Sequence, residues 1–347
     1  MPIQKLEIQE FITLSNAHLL LDVRSPSEYL QAHITGAKNL PLFSDEERKI
    51  VGTKYKQQSR EDAIKIGLDF FGSKMRSMID EVENLLLQNK FKDKTILVHC
   101  WRGGMRSAGV AWLLDLYGFK VFTLIGGYKS YRNFIIEQFA KPYNFNIVGG
   151  YTGSGKTYLL TALKNDSKIT IDLEGLANHK GSALGALGMP PQPTQEIFEN
   201  KLGEALSLSI NKNEFIFLED ESQRIGDLMI PNELWKTMRQ SKVFFIDIPF
   251  EERLVFLTKE YGSHKKEQLV NAAIRIQKRL GGLETKNCIN FLLENNFKEA
   301  FRILLTYYDK HYFKGLHNRE NAKELIKIIP ALKVDADKNL LVLKKHI

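Results

Sequence analysis

The chain has 347 residues, a formal net charge of +8, and 43% hydrophobic and 26% charged residues. That length suits two domains, and that balance suits a soluble globular protein with real cores. No apolar run approaches the roughly 20 residues that span a bilayer, and Met1-Pro2-Ile3-Gln4-Lys5-Leu6-Glu7 lacks a signal peptide's basic-then-apolar layout, so a cytoplasmic protein with no membrane partner is expected. The two cysteines, Cys100 and Cys288, lie far apart and without clustered histidines, which argues against a structural disulfide and against a zinc site. The excess of Lys and Arg suits a polyanionic partner such as RNA, and it suits equally a surface that serves only solubility.

Taken in chain order, short branched or aromatic runs predict strands at 19–23, 95–99, 121–124, 145–148, 169–172, 214–218 and 243–248. Helical patterns fall between them, at 73–89, 106–117, 128–139, 156–164 and 194–210. Alternating strands and helices predict an α/β fold of parallel sheets. Beyond Pro249 the pattern turns helical, at 251–261, 265–279, 285–295, 297–310 and 318–328, and Leu340-Leu341-Val342-Leu343 reads as an edge strand. A proline follows a long helix at Lys141-Pro142-Tyr143 and a strand begins at once, so the expected domains are 1–141 and 142–347.

Two runs carry chemistry. The first is His99-Cys100-Trp101-Arg102-Gly103-Gly104-Met105-Arg106-Ser107, placed between a strand and a helix. Gly103 and Gly104 let the backbone curl into a nest of inward N–H groups, the helix N-terminus adds its positive end, and Arg102 or Arg106 can add a guanidinium. Such surroundings favour a thiolate, so Cys100 is the expected nucleophile and Trp101 to Ser107 its anion loop. His99 reads as a strand-end residue that orients the loop. A buried inert thiol is the plainer reading, but it has no need of this loop.

The second run is Gly150-Tyr151-Thr152-Gly153-Ser154-Gly155-Lys156-Thr157, a complete G-x-x-x-x-G-K-[ST] phosphate loop after a strand and before a helix. Its amides wrap phosphates, Lys156 neutralises them, and Thr157 can hold Mg²⁺. Nothing in the loop chooses between ATP and another diphosphate. One of Glu219, Asp220 and Glu221 is expected to be the metal-side acid, without a sign of which. Asp172 and Asp247 are weaker candidates that also read as helix caps or strand ends.

The Gly/Pro loop from His179 to Glu196 reads as a substrate lid or as a plain surface loop, with Thr194 as a helix cap. His264-Lys265-Lys266 with Arg275, Lys278 and Arg279 form a basic helical stretch that suits RNA backbone or simply solvent.

Asp22-Val23-Arg24-Ser25-Pro26, Glu28-Tyr29, His33-Ile34 and Gly36-Ala37, followed by the Cys100 loop, resemble a rhodanese domain over about residues 1 to 140. In that resemblance Asp22, Arg24 and Glu28 are structural. Five residues separate Cys100 from Arg106, one more than in the usual sulfur-transferring loop, and this spacing is similar to that of cysteine phosphatases, which hold a tetrahedral anion against the sulfur. A rhodanese-like domain joined to a P-loop domain carrying Glu219-Asp220-Glu221-Ser222 resembles the tRNA 2-selenouridine synthase family over essentially the whole chain. The resemblance implies a tRNA-modifying transferase acting on the anticodon arm at wobble 2-thiouridine, with geranyl diphosphate and selenophosphate as co-substrates and Cys100 at the selenium step. A cysteine-dependent phosphatase or sulfurtransferase fused to a nucleotide kinase is the alternative, as is a non-catalytic RNA-binding module.

Overall fold

The structure is a computed structural model and describes residues 3–89, 91, 93–209 and 214–347. Ile210, the expected end of one helix, lies outside the described residues. The chain divides into two compact units, Met1–Glu137 and Gln138–Ile347.

The first unit is built on five parallel strands: β1 (Gln4–Leu6), β2 (Leu19–Asp22), β3 (Lys38–Asn39), β4 (Thr95–His99) and β5 (Lys120–Leu124), in the order β1-β5-β4-β2-β3. Every residue of β2 and β4 is buried, which explains their unbroken apolar runs: the sheet is covered on both faces. On one face Leu21 and Val98 pack with Phe71, Met78 and Val82 of helix Arg60–Gln88 and with Val110 and Leu114 of helix Met105–Tyr117. β1 and β3 are too short and too polar to announce themselves in the sequence.

The second unit carries β6 (Phe145–Gly149), β7 (Ile169–Ile171), β8 (Ile216–Glu219), the hairpin strands β9 (Arg224–Ile225) and β10 (Leu228–Met229), β11 (Lys242–Asp247) and β12 (Ile326–Pro330). Its main sheet is parallel, in the order β12-β11-β6-β8-β7. Helices Phe250–Tyr261, Lys266–Arg275, Gly282–Leu293 and Phe297–His317 form the C-terminal helical part around Leu254, Leu269, Cys288, Leu292 and Phe301.

Two expectations are corrected at the C-terminal end. Residues 318–328 contain only the short helix Ala322–Leu325, after which Ile326-Lys327-Ile328-Ile329 joins β11 as a parallel edge strand. Conversely, Leu340-Leu341-Val342-Leu343 is the end of helix Ala336–Leu343, with Asp335 as its cap, accepting the Lys338 N–H at 3.1 Å. A short apolar run fits either period, and the partner decides: a free sheet edge takes the β-branched run, and the flank of helix Lys156–Asn165 takes the leucines. Among the described residues no helix is long and apolar enough to cross a membrane.

The first unit hangs on one buried ion pair. Arg24 is fully buried and donates from Nε to Asp22 Oδ1 at 2.9 Å, from Nη2 to Asp22 Oδ2 at 2.5 Å, and from Nη2 to the Ala32 carbonyl at 2.6 Å. Removing one partner strands an uncompensated charge. Asp22→Ala should therefore cost about 3–5 kcal/mol, read as a fall in the urea midpoint. Asp22→Ala combined with Arg24→Met should recover part of that loss.

Candidate active sites

Cys100 follows β4, the central strand of its sheet, so the parallel topology delivers it to the carboxyl edge, where loops and helix N-termini gather. Its Sγ lies 3.2 Å from Ser107 Oγ, and that hydroxyl donates to the Gly104 carbonyl at 3.1 Å. The loop is folded against the Gly126-Gly127 turn after β5. The Tyr128 N–H donates to the Cys100 carbonyl at 2.8 Å and the Lys129 N–H to the Trp101 carbonyl at 3.0 Å. Carbonyls are thus drawn away from the sulfur by the next helix. Contact is so close that a Cβ on Gly127 (φ 60°) would run into the Cys100 carbonyl and the Gly103 amide. Gly103 (φ 64°) is equally confined, and only glycine meets both demands.

Burial opposes ionisation of Cys100. The hydroxyl and amide of Ser107, the Arg106 charge and the Arg102 amide outweigh it, so the thiol sits below its ordinary value. The loop arginines divide their roles. Arg106 donates to Glu28 Oε2 at 2.7 Å, and Glu28 also accepts the Ser25 N–H at 3.1 Å, so Arg106 is held by the helix start Pro26–Gln31. Arg102 is exposed, as are Gly104 and Met105. Trp101 is 38% exposed, and its ring leans on Tyr128 at 5.6 Å. His99 is wholly buried, with Nε2 3.7 Å from Asp22 Oδ2. Burial lowers its pKa, and no face of it reaches solvent.

The phosphate loop follows β6, again the central strand, and opens helix Lys156–Asn165. It lines a cavity of about 690 Å³. Lys156 Nζ lies 3.4 Å from the Gly150 carbonyl and 4.0 Å from Glu221 Oε1. Burial works against its charge, but Glu221, Glu174, Asp220 and Glu219 raise its pKa, so it stays protonated. The structure also separates the three candidate acids. Glu219 is fully buried and accepts the Leu173 N–H at 2.9 Å, a structural duty. Asp220 is ion-paired with Arg319 and accepts from Tyr312 Oη at 2.8 Å. Only Glu221 faces Lys156; burial and the neighbouring Glu174 push its pKa well up against the lysine's pull.

Sequence reasoning missed Glu174, which accepts from Thr157 Oγ1 at 2.9 Å. Its signal was slight: an acid two residues past Asp172, which itself caps helix Leu173–Ala177 by accepting the Gly175 N–H at 2.6 Å. It also missed Tyr312, whose hydroxyl accepts the Gly150 N–H at 3.1 Å across 162 residues, and Arg319. Asp247 is exposed at the end of β11; burial raises the pKa of Tyr151 in the phosphate loop, and the Asp247 charge helps raise it. From the Gly/Pro loop Lys180, Gly181 and Ser182 reach the cavity wall, and the loop is tied down by Tyr308 Oη, which accepts the Ala183 N–H at 2.8 Å. Thr194 Oγ1 caps the following helix by accepting the Ile197 N–H at 3.2 Å. Of the basic stretch, Arg275 and Lys278 are exposed and Arg279 lines the cavity.

A cysteine with a lowered pKa after the central strand of one unit, and a glycine-rich loop with a charged lysine after the central strand of the other, define the class: a rhodanese-like domain followed by a P-loop domain. A family model described as a rhodanese-like domain matches residues 7–134, and one described as the tRNA 2-selenouridine synthase AAA domain matches residues 143–327. Similar proteins agree across both units. The tRNA 2-selenouridine synthase of Hydrogenovibrio crunogenus is 35% identical, covering 87% of this chain and 90% of that one; that of Sulfurovum sp. is 31% identical, covering 92% of each; that of Shewanella piezotolerans is 35% identical, covering 81% of each. The chain belongs to the tRNA 2-selenouridine synthase family.

The depressed thiol gives a direct test. Because its pKa is lowered, Cys100 keeps its thiolate to lower pH than a free cysteine. Iodoacetamide labelling of Cys100 should reach half its plateau rate at a lower pH than labelling of a free cysteine does. Ser107→Ala should move that midpoint up, and Cys288, whose pKa burial pushes to about 11, should stay unlabelled in the folded protein.

Proposed function

We propose that this enzyme converts wobble 2-thiouridine of tRNA to 2-selenouridine in the cytoplasm, in two transfers. In the first, the thiocarbonyl sulfur attacks C1 of geranyl diphosphate. The C–O bond breaks, diphosphate leaves with the bonding pair, and the base loses its N3 proton. In the second, selenium from selenophosphate takes the place of the alkylated sulfur at C2. Geranyl thiol departs, and water takes the phosphoryl group as phosphate.

The observation that carries this reading is the composition of the cavity wall. Beside the phosphate loop stand Tyr158, Phe256, Tyr261, Tyr307 and Tyr308. A cradle for two phosphates next to an aromatic wall suits a ligand with a diphosphate head and a hydrocarbon tail. Lys156, held protonated, faces the charge that grows on the departing diphosphate. Thr157, Glu174 and Glu221 are hard oxygen donors and fit Mg²⁺, which would neutralise part of that charge when bound. Among the described residues no group of three or more His, Cys, Asp or Glu side chains is placed to hold a metal ion, so such an ion would draw ligands from the diphosphate itself. At the other centre, the loop from Trp101 to Ser107 suits a small tetrahedral anion such as selenophosphate beside the Cys100 sulfur.

The division of labour is testable with separated half-reactions, followed by mass spectrometry of the wobble uridine. Lys156→Ala should abolish geranylation and leave intact the selenation of tRNA that already carries the geranyl group. Cys100→Ser should do the reverse. Geranylation at the unaltered rate in Lys156→Ala would refute the assignment of that step to the phosphate loop.

A further inference from the structure

Besides Lys156, Lys180 and Arg279, the cavity that holds the phosphate loop is lined by a further cation that the sequence motif does not include. Arg239 ends helix Asn232–Arg239 and lines this cavity. It is half-buried. Its guanidinium lies 5.5 Å from the centre of the Trp235 ring and donates to the Gly315 carbonyl at 3.1 Å. Among the described residues it has no carboxylate within ion-pair distance. The acid whose field it feels is Asp220, which is already engaged by Arg319 and by the Tyr312 hydroxyl. Asp220 thus pairs with Arg319 by contact and reaches Arg239 only through its field. Burial and the like charge of Arg319 both work against the Arg239 cation. The Trp235 indole N–H, on the same helix and also lining the cavity, is buried with no hydrogen-bond partner. A half-buried guanidinium without an acid, beside an unanswered N–H donor, is an arrangement that an anion completes.

The position of that anion is set by Tyr312. Its hydroxyl links the first glycine of the phosphate loop, through the Gly150 N–H at 3.1 Å, to Asp220 at 2.8 Å, and its ring centre lies 5.7 Å from Lys156 Nζ. The surroundings of Arg239 therefore join the phosphate loop through Asp220 and Tyr312. Lys156 meets Glu221, whereas Arg239 and Arg319 together outnumber Asp220, so net positive charge remains near the hub. We infer that Arg239, with the Trp235 N–H, binds the second phosphate of the diphosphate whose first phosphate sits in the loop of Gly150 to Thr157. The inference rests on the reading of this cavity as a diphosphate-ester site. A planar fork of donors on the outer phosphate makes the cavity selective for diphosphates over monophosphates, and it takes up charge as the C–O bond of the ester breaks.

Calorimetric titration with inorganic pyrophosphate and with inorganic phosphate, in the presence of Mg²⁺, tests this. The full chain should prefer pyrophosphate. Arg239→Gln keeps the aliphatic stem against Trp235 but removes the charge; it should weaken pyrophosphate binding roughly 10- to 100-fold and leave phosphate binding unchanged. Arg239→Lys, which keeps the charge without the fork, should fall between, and it serves if the glutamine variant fails to fold. Lys236→Ala, an exposed change on the same helix, should alter neither affinity. If the unaltered protein binds pyrophosphate and Arg239→Gln binds it equally well, the inference is overturned while the diphosphate reading stands. If Arg239→Gln weakens binding of a tRNA transcript and not of pyrophosphate, the guanidinium serves an RNA phosphate and the inference is again overturned. If the unaltered protein binds no pyrophosphate, the diphosphate reading itself fails and this inference with it.

Discussion

Main-chain N–H groups at the carboxyl edge of a parallel sheet are the resource on which both centres draw. Parallel strands all point one way, so the loop after each strand and the start of each helix collect at a single edge. Each unit puts its chemistry after the central strand of its own sheet, Cys100 after β4 and the phosphate loop after β6. A central strand has neighbours on both sides, which supply the groups that complete the site. β5 leads into Gly126-Gly127, whose following helix draws the Cys100 loop carbonyls aside. β8, beside β6, leads to the run from Glu219 to Glu221, and β7, one strand further out, leads to Glu174.

The two centres use charge in opposite ways. Around Cys100 the formal charges are largely spent on structure: Asp22 holds Arg24, and Glu28 holds Arg106. What lowers the thiol is short-range, chiefly the hydroxyl and amide of Ser107, with Arg106 adding its field. Around Lys156 several carboxylates crowd one lysine, so that the lysine stays charged while Glu221 resists ionisation. Such a balance is sensitive to whatever anion or cation enters.

Much of this was legible in the linear chain. The strands at Thr95–His99 and Phe145–Gly149 announce themselves by unbroken apolar runs, because both faces are covered. The phosphate loop and the Cys100 loop announce themselves because glycine spacing and a cationic or nucleophilic side chain must fall at fixed offsets within one turn of backbone. The structural role of Asp22 and Arg24, which the rhodanese resemblance implied, is met by their buried ion pair. Where the chain offered only a short apolar run, as at Ile326–Pro330 and Leu340–Leu343, the period was ambiguous, and the vacancy beside β11 or beside helix Lys156–Asn165 settled it.

The sequence by itself determined the α/β class, the family, and the placing of the Cys100 loop and of the Gly150–Thr157 loop between a strand and a helix, because those features depend on contiguous residues and on chain-local geometry. Only the tertiary structure decided which acid meets Lys156, that Arg106 belongs to Glu28, and that Tyr312, Arg319 and Arg239 stand around a loop lying up to some 170 positions away. The reason is physical. An electrostatic interaction falls off with distance in space and is indifferent to distance along the chain, so partners drawn from remote helices leave no periodic or spaced trace in the order of residues.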